Sequence, residues 1–248
     1  MDAKITGTVM PVLEVSLNPG EMVTAEGGEL SWMSESIQMR TSTRTAGASG
    51  FFGGLKRAVG GGGLFMTEYS ALDRPGNIAF AAKLPGHIMQ IPLRPDMPYL
   101  IHRHGFLCGV GDVQLSIAFQ RKLGAGIFGG NGFIMQHLTG TGQAWVELSG
   151  ETVSYTLAQG QNIRVHPGHV GMFEASVSFD ITRIKGIKNM LFGGDGIFLA
   201  SLTGPGRIWL QTLTISNLAH AVIPYLPSSS GESRSGGWIS SAANILTD

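Results

Sequence analysis

The order of hydrophobic and polar residues along this chain is typical of β-strands. Segments such as 113–119 and 177–182 alternate apolar and polar side chains, which is the period expected of a strand with one buried face. Glycine-containing turn signals recur between such segments at intervals of roughly 8–12 residues, a spacing typical of sandwiches and barrels. The pattern therefore predicts an all-β protein.

Two local features add detail to this prediction. Ser149-Gly150 separates the strand-like segments 144–148 and 152–157, and it predicts a hairpin turn between them. A short helix is predicted only over 216–225, where Pro224 limits its length.

The strand pattern also repeats along the chain. Residues 83–146 align with residues 147–210 without a gap, and a weaker third copy with a glycine-rich insertion precedes them. The aligned motifs are Phe128-Gly-Gly-Asn-Gly132 with Phe192-Gly-Gly-Asp-Gly196, Leu138-Thr-Gly140 with Leu202-Thr-Gly204, and Trp145 with Trp209. Internal repeats of this kind define the architecture of a fold.

We therefore predict one all-β domain over residues 1–225, sandwich- or barrel-like, built from three repeats in a pseudo-threefold arrangement. The repeats span about 10–82, 83–146 and 147–213, and residues 226–248 form a Gly/Ser-rich tail.

The repeat changes how one apparent cofactor motif is interpreted. Residues 124–129 have the spacing of a dinucleotide fingerprint, but that fingerprint requires a helix after it, and here a β pattern follows at 133–138. The equivalent residues 188–193 lack the first two glycines. We interpret these glycines as architectural and predict no cofactor.

The repeated Trp145 and Trp209 are likewise interpreted as core residues, with ligand stacking as the alternative.

Composition limits the classes of partner. Charged residues make up 14% of the chain, against about 25% in typical proteins, and the formal net charge is zero. A nucleic-acid partner is not expected, because such binders carry a basic excess or stripe. A weakly charged surface favours association, so we expect a homo-oligomer.

Cysteine use and targeting signals indicate the compartment. Cys108 is the one cysteine, so no intrachain disulfide forms, and its apolar neighbours predict a buried structural thiol. The N-terminus lacks the pattern of a signal peptide, and no apolar run is long enough to span a membrane. These observations favour the cytoplasm.

Seven histidines raise the question of a metal site. His102 and His104 on one strand would place both rings on one face, and His102, His166 and Glu26 occupy equivalent positions in the three repeats. Around a pseudo-threefold axis, Glu26, His102 and His166 would converge like a facial triad. The alternative is that Glu26, His102 and His166 are three polar residues near turns at a strand end.

The glycine-rich insertion of the first repeat carries apolar and basic residues together. They are Phe51, Phe52, Leu55, Lys56 and Arg57. Exposed apolar side chains beside a basic pair suit contact with a membrane surface or a protein partner. The alternative is a long hairpin packed on a neighbouring repeat.

Three β repeats, the recurring Phe-Gly-Gly-(Asn/Asp)-Gly and Leu-Thr-Gly motifs and the glycine-rich loop together resemble a widespread bacterial family. That family is related to the mitochondrial-biogenesis, altered-inheritance-of-mitochondria proteins. The resemblance covers about residues 1–225. It implies a β-sandwich fold similar to that of the trp RNA-binding attenuation protein and no established enzymatic activity. The mitochondrial relatives are associated with the inner membrane, which suits a scaffold role.

The function predicted from these observations is a non-enzymatic binding or scaffold protein that self-associates. Two alternatives stay open. One is a cupin-like, metal-dependent enzyme using His102, His104 and His166. The other is a peripheral membrane protein that binds through residues 51–57.

Overall fold

A computed structural model describes residues 1–42, 64, 66–121, 132–184 and 197–226. Within these residues the chain forms 17 β-strands and one α-helix, which confirms the predicted all-β, sandwich-like class. The strands of the first half are β1 (Asp2–Thr6), β2 (Val12–Leu17), β3 (Met22–Glu26), β4 (Trp32–Met33), β5 (Ile37–Ser42), β6 (Met66–Ala71), β7 (Gly76–Ala81), β8 (Gly86–Leu93), β9 (Tyr99–His102) and β10 (Phe106–Arg121). The second half contains β11 (Phe133–Ser149), β12 (Thr152–Leu157), β13 (Asn162–Val165), β14 (Val170–Glu174), β15 (Ser178–Ile184), β16 (Ile197–Thr203), β17 (Gly206–Gln211) and the helix α1 (Ile215–Val222).

The strands form three open antiparallel sheets. Four strands pair in the order β1-β2-β7-β4, and three pair in the order β13-β16-β15. The largest sheet has ten strands, in the order β12-β17-β14-β9-β11-β10-β3-β6-β5, with β8 paired to the second half of β11. The two small sheets pack against opposite ends of the large one.

Alternating burial explains why the two-layer packing forms. In β2, Leu13, Val15 and Leu17 are buried, whereas Glu14 and Ser16 between them are exposed. Burying one face of each strand against another sheet removes apolar area from water, which is the main favourable contribution to folding.

Three apolar clusters result from this packing. The first joins the four-stranded sheet to the large sheet and contains Trp145, and the second lies in the middle of the large sheet and contains Trp209. The third joins the three-stranded sheet to the large sheet.

The repeated Leu-Thr-Gly-x-Gly motif has a steric cause. Gly140 and Gly142 lie on β11 with φ of +131° and +139°. A Cβ at Gly140 would lie 1.8 Å from the carbonyl oxygen of Asp112, and one at Gly142 would lie 2.1 Å from that of Val110. The adjacent strand β10 therefore approaches too closely for any side chain. In the next predicted repeat, Gly206 has φ of +141°.

The chain does turn at Ser149-Gly150, where Gly150 has φ of +73°, but the predicted hairpin is wrong. The strand β12 pairs with β17, not with β11. Both edges of β11 are already occupied over this stretch, because β10 pairs on one side and β8 on the other. The short helix predicted near 216–225 is confirmed as α1, followed by a 3-10 turn at Ile223–Tyr225.

Each predicted repeat contributes one long hairpin, formed by β5–β6, β10–β11 and β15–β16. The connections of these hairpins lie outside the described residues. They include the interaction residues Phe51 to Arg57 and the dinucleotide-like glycines of 124–129. The tail from residue 227 onward also lies outside. The repeat boundaries and the pseudo-threefold arrangement stay predictions.

Candidate functional site

A cluster of buried acidic side chains surrounds Lys83, which lies between β7 and β8. The Lys83 ammonium group forms an ion pair with Glu29, a residue of the β3–β4 connection. The backbone N–H of Lys83 donates a hydrogen bond of 3.2 Å to Oε2 of Glu147 on β11. One lysine therefore holds together the β7–β8 connection, the β3–β4 connection and β11.

Glu26, at the end of β3, extends the same cluster. Gln136 on β11 donates from Nε2 to Oε2 of Glu26 over 3.2 Å. Gln136 is only 1% exposed and Glu29 only 6%. Gln136 Oε1 and Glu29 Oε2 are buried and have no hydrogen-bond partner within the described part of the chain. Buried polar atoms are usually satisfied, so two such atoms in one cluster mark an unusual site.

The electrostatics follow from three carboxylates sharing one lysine. Burial raises the pKa of Glu29 to about 7, against the lowering effect of Lys83, and repulsion from Glu147 and Glu26 adds to the increase. Burial likewise raises the pKa of Glu26 and of Glu147. A buried carboxyl group favours its neutral form when opposite charge is scarce. The cluster therefore takes up protons at a higher pH than exposed glutamates do.

His102 and His104 lie beside this cluster but not as predicted. The strand β9 ends at His102, whose Nε2 lies 3.3 Å from the carbonyl oxygen of Glu147. His104 follows in a turn with φ of +68°, so the expectation of two rings on one strand face is wrong. Strand alternation stops where the turn begins, because the Gly105 N–H donates back to the His102 carbonyl oxygen over 2.9 Å.

Both of these histidines favour the neutral state. Burial lowers the pKa of His102. Partial burial of its ring first, and then the charges of Arg103 and Lys83, lower the pKa of His104 to about 4. Neutral rings add no positive charge that would offset the three carboxylates.

His166 has a different set of neighbours. It precedes a 3-10 turn at Pro167–His169, and its ring lies 5.9 Å from the ring of His169 in a T-shaped arrangement. Nδ1 of His169 is 2.8 Å from the carbonyl oxygen of Gln211. Within the described ranges, no group of three or more His, Cys, Asp or Glu side chains is arranged to hold a metal ion.

The residues that organise the site were missed by the sequence analysis. They are Glu29, Lys83, Gln136 and Glu147. A signal for Glu147 exists, because it is the single acid in the run Ala-Trp-Val-Glu-Leu, and a lone charge in an apolar strand requires a buried partner. The sequence contains no comparable signal for Glu29, since its partner Lys83 is distant along the chain.

The repeated tryptophans differ in their surroundings. Trp145 is 1% exposed and lies fully within the first apolar cluster. Trp209 is 7% exposed and lines a cavity of about 310 Å³ between β8 and β12, with Arg207 lying 5.6 Å from its ring centre. The other lining residues are His87, Ile88, Met89, Glu151, Thr152 and Ser154.

Cys108 is fully buried in the first cluster, as predicted, and burial raises the pKa of its thiol well above the usual range. A buried, protonated thiol is a structural residue.

In the part of the chain that the structure describes, no helix combines the length and the apolar character needed to cross a membrane.

These features define an all-β sandwich protein with a buried acidic cluster between its sheets. A family model described as mitochondrial biogenesis AIM24 matches residues 3–213, and the chain belongs to this family.

Two proteins of Streptococcus pyogenes are similar to this chain. An uncharacterised protein of the serotype M6 strain is 26% identical over 224 residues, which cover 89% of this chain and 88% of the relative. A crystal structure of a second streptococcal protein has a TM-score of 0.71 at 22% identity and covers 91% of this chain and 99% of the other. That likeness supports the fold alone. The predicted relation to the trp RNA-binding attenuation protein stays a prediction.

Proposed function

We propose that this protein is a non-enzymatic binding or scaffold protein that associates with copies of itself. It acts in the cytoplasm, a reducing setting that suits a chain with one buried thiol and no disulfide.

The helix α1 carries this proposal. Ile215, Leu218 and Val222 are spaced to lie on one face of the helix, and they are 64%, 36% and 44% exposed. None of the eight residues of α1 is buried. A helix this short is marginal in water without packing, so a partner that covers its apolar face would stabilise it. The adjoining Ile223, Tyr225 and Leu226 are exposed as well.

Sedimentation velocity on the full chain at several micromolar concentrations tests the proposal. We expect a species heavier than the 26.2 kDa monomer whose proportion rises with concentration. Replacing Leu218 and Val222 by serine tests the contribution of α1 without changing its charge. A strict monomer at every concentration would contradict self-association.

A further inference from the structure

The strands at the edges of the sheets differ in how they are protected from pairing with another chain. Seven strands pair on one side only among the described residues, namely β1, β4, β5, β8, β12, β13 and β15. An unprotected edge strand presents unpaired N–H and C=O groups, and proteins block such edges with charges, proline, bulges or short length.

Six of the seven edge strands carry such protection. Charged side chains lie in β1, β5, β13 and β15, and β4 has only two residues. Pro92 lies within β8. The remaining strand, β12, has the sequence Thr-Val-Ser-Tyr-Thr-Leu, with no charge and no proline.

The geometry of β12 also leaves it open to a partner. Its six residues pair with β17 in continuous register, without a bulge. The four central residues, Val153 to Thr156, are all exposed, and Val153 and Tyr155 are 41% and 45% exposed. Threonine, valine and tyrosine all favour strands, so the segment is suited to accept a neighbouring strand.

We propose that β12 pairs antiparallel with β12 of a second copy across a two-fold axis, so that the ten-stranded sheet continues into the partner. This inference rests on the proposed self-association and names the surface that carries it. In a two-fold contact, a residue that faces a second position of the partner strand is matched by that second position facing the first.

Charge favours a second copy as the occupant. Pairing β12 with itself brings no like charges together, whereas among the edge strands of more than two residues the others carry charges or proline. If the axis passes through Ser154, Val153 faces Tyr155 of the partner subunit, and Glu151 faces the uncharged Leu157 at the end of the partner strand. An aromatic side chain opposite a β-branched one is a favourable cross-strand pair, and no like charges meet.

Continuity with α1 adds a second apolar element at the same end of the sheet. The N–H of Thr212 donates to the Glu151 carbonyl oxygen over 3.0 Å, and the N–H of Leu213 donates to that of Ser149 over 3.1 Å. The chain therefore leaves the sheet for α1 beside the first residue of β12. A strand pair alone buries less area than a stable interface needs, and the exposed face of α1 would enlarge it.

Sedimentation velocity and oxidative cross-linking of the full chain test this pairing. The double variant Val153→Lys/Tyr155→Lys would place lysines opposite one another in both copies, and we expect dimer affinity to fall by about tenfold or more. Met39→Lys/Leu72→Lys changes two other exposed apolar residues, which are 58% and 48% exposed, and it should leave the dimer intact.

Cross-linking gives a readout that does not depend on the double variant folding. Ser154→Cys should form an intermolecular disulfide near the axis, whereas Leu72→Cys should not, and the native Cys108 is fully buried. A wild-type monomer would overturn both self-association and this inference. A wild-type dimer that resists the lysine pair and shows no cross-link at position 154 would overturn the β12 contact alone.

Discussion

Replacing Gly142 by alanine should strongly destabilise the fold, because two separate effects act at this position. Its φ of +139° lies where L-residues rarely occur, which costs about 1–3 kcal/mol. In addition, the new Cβ would lie 2.1 Å from the Val110 carbonyl oxygen and 3.1 Å from Gly111 Cα. These are backbone atoms, so β10 itself must move away from β11.

The displacement would affect the longest hairpin, which contributes residues to all three apolar clusters. We therefore expect a total loss of about 3–5 kcal/mol in the free energy of unfolding, the range reached by severe core mutations. Urea unfolding followed by tryptophan fluorescence measures this change.

Gly160 provides the matched control. It has φ of +75°, yet a Cβ there would meet nothing within 4 Å. Gly160→Ala should therefore lose only the left-handed backbone preference, about 1–2 kcal/mol. If Gly142→Ala loses no more than Gly160→Ala, the close approach of β10 is not the reason for the glycine.

Three further predictions concern the acidic cluster, the core and the insertion. The pKa of Glu29 is about 7 in the fold, against 4.5 for the free side chain. Protonation of Glu29 therefore stabilises the fold fully below pH 4.5, and this stabilisation declines by about 3 kcal/mol as the pH rises through 7. Glu29→Gln should flatten this decline, which urea unfolding of the wild type and the variant at pH 5 and pH 8 measures. If the free energy of unfolding depends equally on pH in the two proteins, Glu29 does not have a raised pKa. Trp145→Ala should cost about 3–5 kcal/mol in urea unfolding because the ring is 1% exposed, and a cost near 1 kcal/mol would contradict a packed core at this position. Deleting residues 51–63 should abolish flotation with anionic liposomes if the insertion binds membranes, and unchanged flotation would remove that alternative.

The sequence predicted individual strands better than their partners. Alternation in segments such as 177–182 reports which face of a strand is buried, and this local property survives in the fold. Pairing depends on which edges are already occupied, as β12 illustrates by joining β17. No local pattern contains that information.

The candidate site was predicted only in part, because contacts between distant residues leave no local pattern in the sequence. Glu26, His102 and His104 were singled out by position in the repeat and by residue type, and they do lie around Lys83. The metal interpretation assumed that a strand continued through His104, whereas the chain turns there. The ion pair that organises the cluster joins two connections, Glu29 between β3 and β4 and Lys83 between β7 and β8, so periodicity within the strands does not reveal it.

One boundary of the predicted repeats is charged, whereas the equivalent boundary further along the chain carries a neutral amide. Lys83, Glu147 and Gln211 are spaced by 64 residues and therefore occupy equivalent positions at successive boundaries of the predicted repeats. At the first junction, Lys83 and Glu147 bring charge into the interior. At the second, the neutral amide of Gln211 accepts from the Ser149 N–H and donates to the Gly168 carbonyl oxygen, each over 3.1 Å. A neutral amide satisfies two buried backbone groups without a proton equilibrium, whereas carboxylates with raised pKa values bind protons on folding. Proton uptake therefore acts on the junction at Lys83 and leaves the junction at Gln211 unchanged, although both occupy the same place in the repeat.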